Sequence, residues 1–160
     1  MTREERELLR QDLCARAPYG VIVKVIKYGK CYDEREKNKT VDCKIVGINR
    51  YTLITDKDNV EHTYAKGYVS TPITVPIDDG DTKSLPYLRP MSSMTEEELI
   101  ELNCICYHNI SIQDDMLCGY ICCGELEDVF DYLNSIHVDY RGLISKGLAL
   151  EAPEDMYNFN

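Results

Sequence analysis

The chain has 160 residues, is 44% hydrophobic and 29% charged, and carries a net charge of −10; that fits one domain or one small domain with an appendage, and an apolar core without disulfides. No run nears the roughly 18 apolar residues that span a bilayer. The amino terminus, charged from its third residue, lacks the apolar stretch of a secretory signal, so a cytoplasmic protein is expected. In that compartment the eight cysteines are thiols or metal ligands and not cross-links.

Charge is unevenly placed. Residues 1–94 hold 16 Lys and Arg against 14 Asp and Glu, whereas residues 95–160 hold 2 against 14. The acidic half repels phosphate backbones and anionic membranes and attracts a basic partner. The plainer alternative is a solvated face that keeps the chain soluble.

In chain order, residues 2–16 read as a helix. Thr2 and Glu5 have capping-box spacing, Leu8, Leu9 and Leu13 share a face, and "APYG" at 17–20 ends the helix. The period then changes to strands: 21–28, 40–48, 51–55, 60–65 and 68–77, with the charged run 33–39 as a hairpin loop. Short strands with tight turns predict a small antiparallel barrel-like sheet, SH3-like first and OB-like second. Residues 78–94 show no period and read as a linker, 85–94 being its core, with Leu85, Tyr87 and Leu88 lying along a surface. Thr95 and Glu98 repeat the capping-box spacing at the start of a helix over 95–106. A further helix spans about 125–137, with Leu126, Val129, Phe130, Leu133 and Ile136 as its apolar stripe. A short helical turn between Gly142 and Gly147 precedes the tail. The expected architecture is α+β: residues 1–84 form a helix plus barrel, and 95–160 form an acidic helical part packed on it.

Three stretches, "DLCARAPYGV" (12–21), "LPYLRPMSSMTEEE" (85–98) and "DYLNSIHVDYRGLISKGLALEAPEDMY" (131–157), resemble segments of a family of small uncharacterised proteins. Those proteins belong to gut Bacteroidales and their prophages or mobile elements. The resemblance spans the chain, although 22–84 matches only in general character. It implies an accessory gene of a bacterium or its phage acting in the cytoplasm. It brings no activity, cofactor or functional residue.

The densest chemistry lies in "LNCICYHNISIQDDMLCGYICCG" (102–124), which holds five cysteines and one histidine. Cys104, Cys106 and His108 form one possible zinc arm, and Cys118, Cys122 and Cys123 another. No C-x2-C knuckle is present, and cysteine packs readily as a small apolar group, so buried thiols are the favoured reading. Cys14, Cys31 and Cys43 are likewise read as packing. No metal or cofactor is expected. His62, His108 and His137 have no local partner signature for nucleophilic catalysis, and His137 at a helix end suits capping. Asp78, Asp79 and Asp81 lack the ordered spacing of a calcium loop and mark a turn.

Twelve tyrosines and no tryptophan favour half-exposed sheets and interfaces. Tyr28, Tyr51 and Tyr64, with nearby lysines, offer a contact face for a peptide or for stacked single-stranded bases. The net charge weighs against nucleic acid. Arg141, one of two cations in the acidic half, reads first as a clamp on a carboxylate and second as a partner contact. The expected role is a non-enzymatic interaction or adaptor module for a protein partner, with basic chemistry suited to the acidic helices. The alternative is a nucleic-acid-binding accessory protein using the sheet, and a thiol- or metal-dependent enzyme comes third. A homodimer fits only on the general habit of small accessory proteins.

Overall fold

The structure, a computed structural model, describes residues 1–27, 40–48, 52–55, 73–78, 80, 82–106, 109–119, 121 and 126–157. The predicted strand 60–65, the loop 33–39, and Tyr28, Tyr51, Tyr64, Cys31, His62, His108, Cys122 and Cys123 lie outside them. The fold class is α+β, and the chain divides into two compact units, Met1–Pro86 and Tyr87–Asn160.

The amino-terminal unit opens with helix α1, Arg3–Arg16. Its capping box is complete: the Thr2 N–H donates to Glu5 Oε2 at 2.7 Å, and the Glu5 N–H donates to Thr2 Oγ1 at 3.1 Å. Leu9 and Leu13 are fully buried, and so is the ion pair one turn apart on the same helix, Arg16 Nε to Asp12 Oδ2 at 2.9 Å. A 3-10 turn over Ala17–Tyr19 leads into Gly20 at φ 71°, where a Cβ would fall 2.0 Å from Lys44 Cε. The left-handed backbone favours glycine there, while the lysine end is flexible and can move aside.

Five strands follow: β1 Ile22–Lys27, β2 Thr40–Ile48, β3 Thr52–Thr55, β4 Ile73–Pro76 and β5 Thr82–Leu88. Within this unit they order as β4-β3-β2-β1-β5, all antiparallel. Val23 faces Cys43 on one side and Pro86 on the other, and alternate residues Val21, Val23 and Val25 are buried. This is the period-two pattern of a sheet with one face on a core. A register shift between Ile45 and Gly47 places a bulge at Val46, which is 56% exposed. Among the described residues no pairing closes this sheet into a barrel.

Strand β5 lies within the stretch read as a linker. Ser84, Leu85, Tyr87 and Leu88 are all buried, which removes the alternation, and Pro86 inside the run argues locally against a strand. The boundary between the units falls inside this strand.

The carboxy-terminal unit contains helix α2 Glu96–Cys106, the hairpin of β6 Ser111–Gln113 with β7 Met116–Cys118, helix α3 Leu126–Ser135 and strand β8 Leu150–Glu151. Its core gathers Met91, Leu102, Cys106, Ile110, Val129 and Leu133. The hairpin turn places Asp114 and Asp115 at φ 49° and 60°, the backbone of a type I′ turn. Phe130, expected in the apolar stripe of α3, is 39% exposed and stacks on Tyr140 at 5.3 Å. Helix α3 closes in a Schellman motif: the His137 N–H donates to the Asn134 carbonyl at 3.2 Å, and the Val138 N–H to the Leu133 carbonyl at 3.3 Å. Among the described residues no helix is long and apolar enough to cross a membrane.

The buried pair on α1 gives a stability test. Asp12→Ala leaves the Arg16 guanidinium buried beside a lost carboxylate, and it should lower the unfolding free energy by about 3 kcal/mol or more. Replacing the two together with leucine and methionine should cost far less. Urea denaturation of the two variants measures the difference.

Candidate functional site

The carboxy-terminal unit carries a cleft of about 670 Å³. One wall is Arg89, Pro90, Ser93, Thr95 and Glu98, and the other is Glu151, Ala152, Pro153, Glu154 and Tyr157.

Arg89 is positioned by its backbone first. Its N–H donates to the His137 carbonyl at 2.9 Å, and its own carbonyl accepts the Asp139 N–H at 2.8 Å. These bonds form a parallel bridge between Arg89 and Val138. The preceding residues Tyr87 and Leu88 pair in parallel with β8, and the Ala152 N–H donates to the Leu88 carbonyl at 2.8 Å.

The Arg89 side chain then meets Glu98 in a two-pronged pair, Nη1 to Oε1 at 2.6 Å and Nη2 to Oε2 at 2.8 Å. Nη2 also donates to the Ser93 carbonyl at 2.9 Å. Glu98 simultaneously closes the capping box of α2: its Oε2 accepts the Thr95 N–H at 2.8 Å, and its N–H donates to Thr95 Oγ1 at 3.2 Å. Burial pushes the Glu98 carboxyl up. The Arg89 hydrogen bonds, the Thr95 N–H and the Arg89 charge outweigh that and leave it below the ordinary glutamate value. The Tyr132 hydroxyl has one proton to share between two acceptors of α2, the Glu98 carbonyl at 3.1 Å and Glu101 Oε2 at 3.2 Å. Burial, and then the Glu101 carboxylate, push that phenol well up.

The opposite wall is the tail. Tyr157 donates its hydroxyl to the Tyr87 carbonyl at 2.9 Å, and its ring stacks on His137 at 4.1 Å. Met156 donates its N–H to the Pro153 carbonyl at 3.0 Å, which closes the tail into a turn. Glu151 and Glu154 are exposed, and among the described residues neither carboxylate enters a hydrogen bond or ion pair.

The residues singled out from the sequence lie elsewhere in the chain than this cleft. His137 closes α3 through its backbone at φ 58°, and its ring is buried, 2% exposed, and stacked on Tyr157. Arg141 donates from Nε to the Tyr140 hydroxyl at 3.1 Å, with its guanidinium 5.1 Å from that ring's centroid. Asp139 holds the turn after it, its two oxygens accepting the Leu143 and Ile144 N–H groups at 2.7 Å each. Cys104 is exposed while Cys106 is buried. Two residues apart on a helix they point about 200° away from each other, so they do not form one zinc arm. The packing reading suits Cys43 and Cys106 and is corrected for Cys14 and Cys104, whose side chains are exposed. Among the described residues no three His, Cys, Asp or Glu side chains are grouped to hold a metal ion.

Sequence reasoning missed Arg89, Glu151, Glu154 and Tyr157. Only Glu98 carried a local signal, its capping-box spacing from Thr95. No family model matches the chain, and no curated protein or solved structure matches it either.

The Arg89 pair yields a pH prediction. A carboxyl that titrates lower in the folded state than in the unfolded state adds stability above the ordinary glutamate range. That stability is lost as pH falls through the folded value. Glu98→Gln keeps a side chain able to close the capping box but removes the charge. It should cost about 1–2 kcal/mol at pH 7, and the gap to the wild type should close as pH falls through and below the ordinary glutamate range. Urea melts across that range measure it.

Proposed function

We propose that this chain is a non-enzymatic protein-interaction module, the cytoplasmic product of a bacterial or phage accessory gene, that contacts a basic partner protein through its acidic carboxy-terminal unit. The observation that carries the reading is where the acids lie. Residues 87–160 hold 14 Asp and Glu against 3 Lys and Arg. Glu98 and Asp139 are engaged in holding Arg89 and backbone N–H groups. Glu96, Glu97, Glu127, Asp128 and Asp131 on the helices, and Glu151 and Glu154 on the tail, are exposed. Surface charge of one sign steers a partner of the other and keeps wrong partners away.

The test sets a basic peptide against nucleic acid. A labelled ten-residue Lys/Arg peptide and a labelled single-stranded oligonucleotide are each titrated with the full chain at low and at physiological salt. The peptide should bind, with affinity falling as salt screens the charges. Oligonucleotide binding without peptide binding would transfer the function to the sheet and its tyrosines. Binding of neither probe would remove the basic partner from consideration.

A further inference from the structure

We infer that the cleft between 89–98 and 151–157 is a seat for an extended segment of the partner carrying one arginine, whose guanidinium is held by Glu151 and Glu154. The inference rests on the reading of the chain as an interaction module for a basic protein, and it narrows that reading to one site and one side chain. A volume of about 670 Å³ lies within the range of small-ligand sites. The charges inside the cleft do not cancel. The Arg89 guanidinium is committed to Glu98 and to the Ser93 carbonyl, which neutralises that pair and leaves no fork open to an anion. Glu151 and Glu154 remain, exposed and without hydrogen bonds or ion pairs among the described residues. The leftover charge is therefore negative, and the complementary occupant is a cation.

The remaining lining says which cation. Pro90, Ala152, Pro153 and the Tyr157 ring supply apolar surface beside the two carboxylates. A long basic side chain lays its carbon stem on such surface and carries its charge to the polar end. A guanidinium presents a rigid fork of donors that can engage two carboxylates at once, whereas an ammonium is a compact point charge. Arginine is thus preferred over lysine. The wall bearing the carboxylates is held before any partner arrives: the Ala152 N–H is bonded to Leu88, the Tyr157 hydroxyl to Tyr87, and the turn closes at Met156. A site held in advance loses little conformational freedom on binding.

The experiment uses the full chain, labelled with ¹⁵N, and three capped eight-residue Gly/Ala peptides that differ only in a central Arg, Lys or Gln. The arginine peptide should shift the amides of Ser93, Ala152, Glu154 and Tyr157. It should bind several-fold tighter than the lysine peptide and at least tenfold tighter than the glutamine one. Glu151→Gln combined with Glu154→Gln should weaken it at least tenfold at an unchanged melting temperature, because both side chains are exposed. Shifts that instead map to Glu127, Asp128 and Asp131 on α3, or a double variant that binds as the wild type does, would overturn the cleft as the seat and leave the general reading standing. Failure of the single-arginine peptide and of the ten-residue Lys/Arg peptide alike would overturn both.

Discussion

Arg89 is held at both of its ends, and the carboxy-terminal unit is arranged around that double hold. Its backbone bonds to residues 137 and 139, just beyond the end of α3, while its guanidinium grips Glu98 in the first turn of α2. One residue thereby ties the end of one helix to the start of another. Charged two-pronged hydrogen bonds are among the stronger side-chain contacts, roughly twice a neutral one. Glu98 serves three tasks with one carboxylate: it pairs with Arg89, accepts the Thr95 N–H, and puts negative charge where the dipole of α2 favours it. The acidic first turn of α2 is thus structural at Glu98 and solvent-facing at Glu96 and Glu97.

The same economy holds at the other end of α3. Asp139 donates its N–H to Arg89 and uses both carboxylate oxygens on the following turn, while His137 takes a left-handed backbone where glycine is usual. A non-glycine residue there carries a cost of about 1 kcal/mol. The offset is visible on the side chain: the His137 ring is buried face to face with Tyr157. That stack, together with the Tyr157 hydrogen bond to Tyr87, anchors the tail that forms the second wall of the cleft. The cleft is a consequence of how two helix ends and a tail are pinned.

Much of the local structure could be read from the residues alone, because its causes are local. The Thr2–Glu5 and Thr95–Glu98 boxes, the stop at "APYG", and the strands at 40–48 and 52–55 each depend on neighbours a few positions away. Strand β5 was hidden because burial of successive residues from 84 to 88 erases the alternation that marks a strand, and because Pro86 signals the opposite. The type I′ hairpin at Asp114 and Asp115 was missed because aspartate replaces the usual Asn-Gly or Asp-Gly signal. The cleft was illegible for a different reason. Its two walls are more than fifty residues apart in sequence, and nothing about Arg89 or Tyr157 in isolation announces a partner so distant.

That separation also bears on function. The cysteines and tyrosines drew notice in the sequence because rare residue types stand out there, whereas glutamates in an acidic half do not. In the folded unit the order reverses. Cys106 is part of the core, while most acids are interchangeable surface charges. Glu151 and Glu154 border a concave, partly apolar surface whose own cation is already engaged. Long-range attraction arises from the sum of the acids and does not select a position, but selection of one side chain needs shape as well as charge. In the proposed interaction these two join the general electrostatics of the chain to the recognition of one side chain.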